Sequence, residues 1–205
     1  MNKDIARYLL EKEAVKLSVA KPFTFVSGIK SPIYCDNRKM LAFAAERGKI
    51  VDAFLLALKG RTFDVIAGTA TAGIPWAAFI ADRLGVPMAY IRSTKKAHGT
   101  GRQIEGAEVA GKKVIVIEDL VSTGGSCLAA LTACRDEGAG AVEIAAIFSY
   151  QFESAQQNFS KADCQCTVLT DFSTLLEVAR DLQLIDEPEL LMARQWRQDP
   201  EHWGR

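Results

Sequence analysis

A chain of 205 residues with 49% hydrophobic content can bury a sizeable core, yet is too short for two large domains; one domain with a small appendage accounts for it. Its 25 basic and 25 acidic residues cancel, so the overall balance gives no pull toward nucleic acid or an acidic membrane, and small-molecule chemistry becomes the default. The five cysteines, Cys35, Cys127, Cys134, Cys164 and Cys166, form no C-x-x-C pair and lie far in sequence from His98 and His202; reduced buried thiols explain them better than a metal site, with Cys164-x-Cys166 a weak metal hint.

The N-terminus, Met1 to Asp4, leads into a charged amphipathic segment rather than an apolar signal core. With no run of about 18 apolar residues anywhere, a cytosolic location without membrane contact is expected. Ile5, Leu9, Leu10, Ala14 and Leu17 recur at helical spacing and predict a helix from Asn2 to about Val19. From Phe23 to Arg38, alternation on either side of Ser27-Gly28 predicts two short antiparallel strands joined near the glycine. Taken alone, that stretch also fits a plain core hairpin with surface charges.

A helical pattern returns from Leu41 to Leu58, and Asp64-Val65-Ile66-Ala67 then reads as a short buried strand running into Gly68-Thr69-Ala70-Thr71-Ala72-Gly73. Small residues and two hydroxyls let backbone amides approach an anion there, and Ile74-Pro75 opens a helix to about Leu84. Val86 to Ile91 is the next strand. Behind it the run Arg92-Ser93-Thr94-Lys95-Lys96-Ala97-His98-Gly99-Thr100-Gly101-Arg102 concentrates positive charge in an exposed loop, suited to closing over a ligand with several phosphates.

The stretch Val114-Ile115-Val116-Ile117-Glu118-Asp119-Leu120-Val121-Ser122-Thr123-Gly124-Gly125-Ser126 organises the rest. Its apolar, β-branched run suits a strand covered on both faces, and a helical pattern follows from Leu128 to Arg135. The turn therefore lies at the carboxyl end of a parallel strand, where open α/β sheets bind ligands. Glycines 124 and 125 allow N–H groups to converge on an anion at a helix N-terminus, helped by the hydroxyls of Ser122, Thr123 and Ser126. Glu118 and Asp119 just before this cradle would repel a second anion but can accept hydrogen bonds from a vicinal diol. Together they describe a ribose 5-phosphate, although two acids at a solvated strand end and glycines in a plain turn remain open as the simpler alternative. Neither a P-loop nor a dinucleotide fingerprint fits the spacing.

Further strands are expected at Ala141 to Tyr150 and Cys166 to Leu169, with helices from Phe152 to Phe159, from a Ser173 cap through Leu182, and after Pro188. Strands alternating with helices from Asp64 onward predict an α/β fold with a mainly parallel sheet.

Glu118 to Ser126 resembles the phosphoribosyl diphosphate (PRPP) motif of type I phosphoribosyltransferases. With the stretches Phe23 to Arg38 and Arg92 to Gly99, the whole chain resembles the orotate phosphoribosyltransferases. The resemblance implies that family's fold, a central mainly parallel sheet flanked by helices. A small N-terminal hood, from about 20–38 plus the terminal helices, would sit on a core of about 40–170 within a single domain spanning 1–205. It implies transfer of a ribose 5-phosphate group from PRPP to orotate with Mg2+, in homodimers whose basic loop, with Arg92, Lys96 and His98, acts in the other subunit's site. Lys96, His98 and Asp119 are the implied catalytic residues. PRPP would be bound by Arg92, Lys96, His98, Glu118, Asp119, Leu120, Val121, Ser122, Thr123, Gly124, Gly125 and Ser126. Thr69, Ala70 and Thr71 would form a pyrophosphate loop, and no side chain would ligate the metal directly. Some branches carry Lys where Val26 stands and Arg where Gln151-Phe152 stand; Ser122, Lys30 and hairpin amides substitute as holders of the orotate carboxylate. A purine phosphoribosyltransferase would share only the central motif, and a nucleic-acid-binding sensor on this fold is disfavoured by the balanced charge.

Overall fold

The computed structural model describes residues 2–25, 28–94 and 102–203. Helix α1 (Asn2–Glu11) buries Ile5, Ala6, Leu9 and Leu10. It ends earlier than the apolar spacing predicts, because Glu13 takes a left-handed φ of 53° and the chain turns. Ala14 and Val15 are still buried, so the 3.6-residue pattern runs on by coincidence across a turn, and Leu17 belongs to strand β1 (Val15–Leu17) instead of the helix. The expected hairpin forms from β2 (Phe23–Thr24) and β3 (Lys30–Ser31), antiparallel with Phe23 opposite Ser31; its turn residues Val26 and Ser27 lie outside the described residues. Pro32 then ends the pairing, since it has no N–H to donate. The continuation, β4 (Ile33–Cys35), pairs with β1. A 3₁₀ turn, Asn37–Ala42, leads into α2 (Ala44–Leu58).

The remaining elements are β5 (Val65–Thr69), α3 (Gly73–Leu84), β6 (Met88–Ile91), β7 (Ile104–Gly106), β8 (Lys113–Val121), α4 (Gly125–Asp136), β9 (Ala141–Ser149), α5 (Glu153–Lys161), β10 (Cys166–Asp171), α6 (Phe172–Asp181) and α7 (Glu187–Gln198). Strands β5 to β10 form one six-stranded sheet in the order β10-β9-β8-β5-β6-β7, parallel throughout except for the β6–β7 pair. Strand β7 is too short, and follows too polar a run, to register in the sequence pattern. The cap of α6 is Asp171, whose carboxylate accepts the Thr174 N–H, and not Ser173, whose hydroxyl donates to Gln151 instead. A capping box of Asp186 and Glu189 with Pro188 starts α7.

Successive residues of the central strands go to opposite apolar layers. Ile66, Ile115, Ile117, Ala145 and Ile147 pack with α1, α2, α3, α6 and α7; Val65, Ala67, Val114, Val116, Ile144 and Ala146 pack with α4 and α5. That double coverage is why these strands read as unbroken apolar runs. Helix α3 carries the chain from β5 toward β6 and α4 carries it from β8 the other way, so β5 and β8 are the switch point of the sheet. Their carboxyl ends open the crevice in which such sheets bind ligands.

Candidate active site

Strand β8 outruns its neighbour at this crevice. The last pair with β5 is Gly68 opposite Ile117, whereas β9 accompanies β8 as far as Val121 opposite Ser149. Glu118 and Asp119 sit in the overhang, and the structure divides them. Glu118 is buried; its Oε1 accepts the Asp119 N–H at 2.9 Å and its Oε2 accepts the Ser126 hydroxyl at 2.8 Å. It thus braces the strand end against the first turn of α4. Asp119 is half-buried, with a pKa raised from 3.8 to about 7, chiefly because burial disfavours its charge and further because Glu118 stands beside it. Arg38, paired with Asp36 at 2.6 Å, partly offsets this. Burial also pushes the Cys35 thiol and the Tyr150 phenol up, and the charge of Asp119 adds to both.

Beyond the acids, Leu120 and Val121 direct their side chains into the two apolar layers and offer only main chain to the crevice. The Thr123 carbonyl is held by the Asn158 amide at 3.1 Å. Gly124 caps α4 with φ +83°, a conformation open to glycine, and a Cβ there would come within 3.2 Å of the Phe159 ring. Exposed Thr123, Gly125 and Ser126 and half-buried Ser122 surround a helix start whose first N–H groups have no intrahelical acceptor. The Ser126 hydroxyl is committed to Glu118, so its free offering to an anion is its N–H.

The β5–α3 loop is built differently. Thr69 is buried and its hydroxyl donates to the Ile117 carbonyl at 3.2 Å, while the Ala70 N–H donates to the Ile91 carbonyl at 2.8 Å. A Cβ on Gly73 would lie 2.2 Å from the Ile117 oxygen and 2.6 Å from Thr69 Oγ1, so the loop lies directly against β8. Thr71 is exposed, and the Ala70–Thr71 peptide is cis.

A family model for the phosphoribosyl transferase domain matches residues 42–176. The chain is 49% identical over 202 residues to the orotate phosphoribosyltransferase of Coxiella burnetii (strain RSA 493 / Nine Mile phase I), a match covering 98% of this chain and 97% of that one. It belongs to the orotate phosphoribosyltransferase family. The crystal structure of the orotate phosphoribosyltransferase of Aeropyrum pernix matches with a TM-score of 0.76 at 26% identity, covering 89% of this chain and 99% of that one. The structure of Leishmania donovani UMP synthase matches with a TM-score of 0.81 at 26% identity, covering 96% of this chain and 42% of that one. The fold is thus the type I phosphoribosyltransferase fold that the central motif resembles.

Within this orotate phosphoribosyltransferase fold, the root of the basic loop is closed. Arg92 donates its N–H to the Gln103 carbonyl at 3.0 Å, receives the Gln103 side-chain amide on its own carbonyl, and pairs with Glu105 at 3.7 Å. Lys96 and His98 lie outside the described residues, as does all of Lys95 to Gly101. Lys30 is exposed on β3, its amine donating to the Thr24 hydroxyl at 3.0 Å and its carbonyl accepting the Trp196 indole N–H at 3.1 Å. Trp196 is fully buried between Tyr150, Phe152 and Phe172, so α7 anchors the hairpin over the sheet edge. Sequence reasoning missed Asn37, fully buried, which donates from Nδ2 to the Asp119 carbonyl at 2.7 Å. It also missed the Ser126–Glu118 brace. Neither has a local signature, because each partner is supplied by the tertiary fold.

Proposed function

We propose that this chain transfers the ribose 5-phosphate group of PRPP to orotate, giving orotidine 5'-phosphate and pyrophosphate in de novo UMP biosynthesis. The observation that carries the reading is the half-buried Asp119 at the carboxyl end of β8, backed by Glu118 and followed directly by the open helix-start loop Ser122–Ser126. Asp119 accepts hydrogen bonds from the ribose diol with the buried Glu118 behind it. The 5-phosphate lies on the N–H groups of Thr123 to Ser126 and the hydroxyls of Ser122 and Thr123. Leu120 and Val121 contribute backbone alone.

In the transfer, the bond from the anomeric carbon to pyrophosphate breaks with its electron pair on the leaving group, and the orotate ring nitrogen, its proton passing to water or to the departing pyrophosphate, bonds to that carbon. Positive charge grows on the ribose and negative charge on the pyrophosphate, so electrostatic stabilisation matters more than acid–base chemistry. Arg92, Lys96 and His98 supply cations to the pyrophosphate, the backbone of Thr69, Ala70 and Thr71 borders it, and Lys30, Ser122 and hairpin amides meet the orotate carboxylate. Among the described residues no three His, Cys, Asp or Glu side chains converge as a metal cage, and both Glu118 oxygens already accept hydrogen bonds. That donor set suits Mg2+ carried by the diphosphate and ribose oxygens, where the ion would neutralise the leaving group.

The working form we propose is a cytosolic homodimer in which each basic loop serves the other subunit's site. Leu56 on α2 and Phe79 and Leu84 on α3 are exposed apolar surface that a second copy would cover. Consumption of orotate, followed spectrophotometrically with PRPP and Mg2+, tests the activity; absence of turnover with orotate but turnover with a purine base would replace the acceptor. Mixing Lys96→Ala and Asp119→Asn proteins, each of strongly reduced activity, tests the trans loop. Heterodimers should recover at most about half of wild-type activity, since one of their two sites is intact. No recovery despite subunit exchange would assign each loop to its own subunit.

A further inference from the structure

Strand β8 projects past β5, so its edge on that side has no strand to bond beyond Ile117. Carbonyls two residues apart in a strand point to the same side, which puts the Ile117 and Asp119 oxygens on this exposed edge. Side chains take the place of the absent strand. Thr69 Oγ1 donates to Ile117 O at 3.2 Å, and Asn37 Nδ2 donates to Asp119 O at 2.7 Å.

We infer that Asn37 is a positioning residue for Asp119, fixing the peptide from which the ribose-binding carboxylate projects; the inference rests on the ribose-site reading above. Asn37 is 0% exposed, and its amide oxygen accepts the Cys35 thiol at 3.3 Å, so the side chain is held at both ends in one orientation. Asp119 is gripped on both sides of its Cα as well: Glu118 Oε1 takes its N–H and Asn37 takes its C=O. With both backbone groups tied, the Cα–Cβ direction is set, and the carboxylate is what remains for substrate. Because only Asp36 separates Asn37 from β4 and Asn37 opens the 3₁₀ turn, the seating of the N-terminal segment is transmitted to Asp119 through one hydrogen bond. The amide is required at this point and not merely a space-filling group, since the bond it supplies is one that a neighbouring strand would otherwise make.

A double-variant comparison separates this role from a structural one. Asn37→Ser loses the reach to the Asp119 carbonyl; Asn37→Asp keeps the shape and turns an acceptor toward that carbonyl. Each is made alone and in an Asp119→Asn background, with thermal unfolding recorded beside kcat/KM for PRPP. A misplacement of about 1 Å can cost on the order of a hundredfold in rate. Either Asn37 variant alone should therefore lower kcat/KM by roughly ten- to a hundredfold, but by less than about twofold once Asp119 is already Asn. Should Asn37→Ser fail to fold, the isosteric Asn37→Asp and the variant Cys35→Ala, which leaves Asn37 in place but frees its amide, carry the same comparison. Equal losses in both backgrounds overturn the inference and leave the ribose site standing. A kinetically silent Asp119→Asn overturns the ribose-site reading, and the inference with it.

Discussion

Two loops leave the carboxyl edge of the sheet at its switch point, and by composition they are near twins: small residues, paired hydroxyls, glycine before a helix. In the structure they are opposites. The loop after β5 is closed on β6 and β8, with the Thr69 hydroxyl on Ile117, the Ala70 N–H on Ile91, and Gly73 in contact with the Ile117 carbonyl. The loop after β8 is open. Gly124 turns it outward at φ +83°, Asn158 fastens its back through the Thr123 carbonyl, and nothing lies within 3.9 Å of the place a Gly125 Cβ would occupy. Similar residues make a wall in one case and a cradle in the other, and what separates them is whether the backbone donors are already used by the protein.

The largest effect should come from closing the tighter loop further. Gly73→Ala places a methyl 2.2 Å from the Ile117 backbone oxygen of the central strand, which cannot swing away, and 2.6 Å from the buried Thr69 hydroxyl, which is held on that same oxygen. Overpacking a core typically costs about 1–3 kcal/mol, and a backbone collision should reach or exceed the upper end. Chemical denaturation of the purified variant measures it; stability within about 0.5 kcal/mol of wild type would mean that the loop does not lie against β8 as described.

Next in size is Asp119→Asn at the mouth of the open loop. Removing a charge-assisted bond to the diol should cost roughly 1.5–3 kcal/mol in kcat/KM for PRPP, about ten- to a hundredfold. The pH dependence gives a second reading of the same group. Wild-type kcat/KM should fall as pH drops through about 7, where Asp119 takes up its proton, and the variant should lack that limb. Stability moves the other way. A carboxyl raised from 3.8 to about 7 binds its proton more tightly in the fold than in the unfolded chain, so its contribution is complete below about 3.8 and is lost as pH rises to 7. Above pH 7 Asp119→Asn should therefore be the more stable protein, by on the order of 1 kcal/mol or more, although the less active one. A variant no more stable than wild type at pH 8 would place the carboxylate in water.

Much of this architecture is legible in the chain. Buried strands β5, β8 and β9 announce themselves as apolar runs because both faces are covered, and the acids followed by hydroxyls and glycines mark the strand end at the switch point of the sheet. What is hidden depends on partners distant in sequence. The helical period through Ala14 and Leu17 hides the turn at Glu13, since residues on either side of it are buried for different reasons. Asn37 looks like one more polar residue in Cys35-Asp36-Asn37-Arg38 until β8 is seen to project beyond β5. Nor does a sequence say which of Glu118 and Asp119 points inward, because residues one apart in a strand face opposite ways and only the packing chooses.

Ser126→Ala tests that choice. If the hydroxyl served phosphate, its loss would weaken PRPP binding; in the structure it donates to a buried carboxylate oxygen at 2.8 Å. The variant should thus lose stability, by about 1–3 kcal/mol for an unsatisfied buried group, with PRPP affinity little changed. Calorimetric titration with PRPP beside thermal unfolding distinguishes the two, and a large affinity loss at unchanged stability would return Ser126 to the cradle.

The smallest effect on the fold is expected at Gly125, and its smallness is what makes it useful. The residue begins α4 without a positive φ, and an added Cβ would find only Thr123 Oγ1, at 3.9 Å. Gly125→Ala should leave stability within about 0.5 kcal/mol of wild type, in contrast to the same change at Gly73. Any loss of PRPP affinity then arises from the ligand's side of the loop. A phosphate lying on the Gly125 and Ser126 N–H groups approaches the backbone closely, so the methyl should weaken PRPP several-fold, and inorganic phosphate as a competitor in parallel. Unchanged affinity for both would move the phosphate off the helix start; a marked loss of stability would mean that the loop after β8 is as closed as the loop after β5.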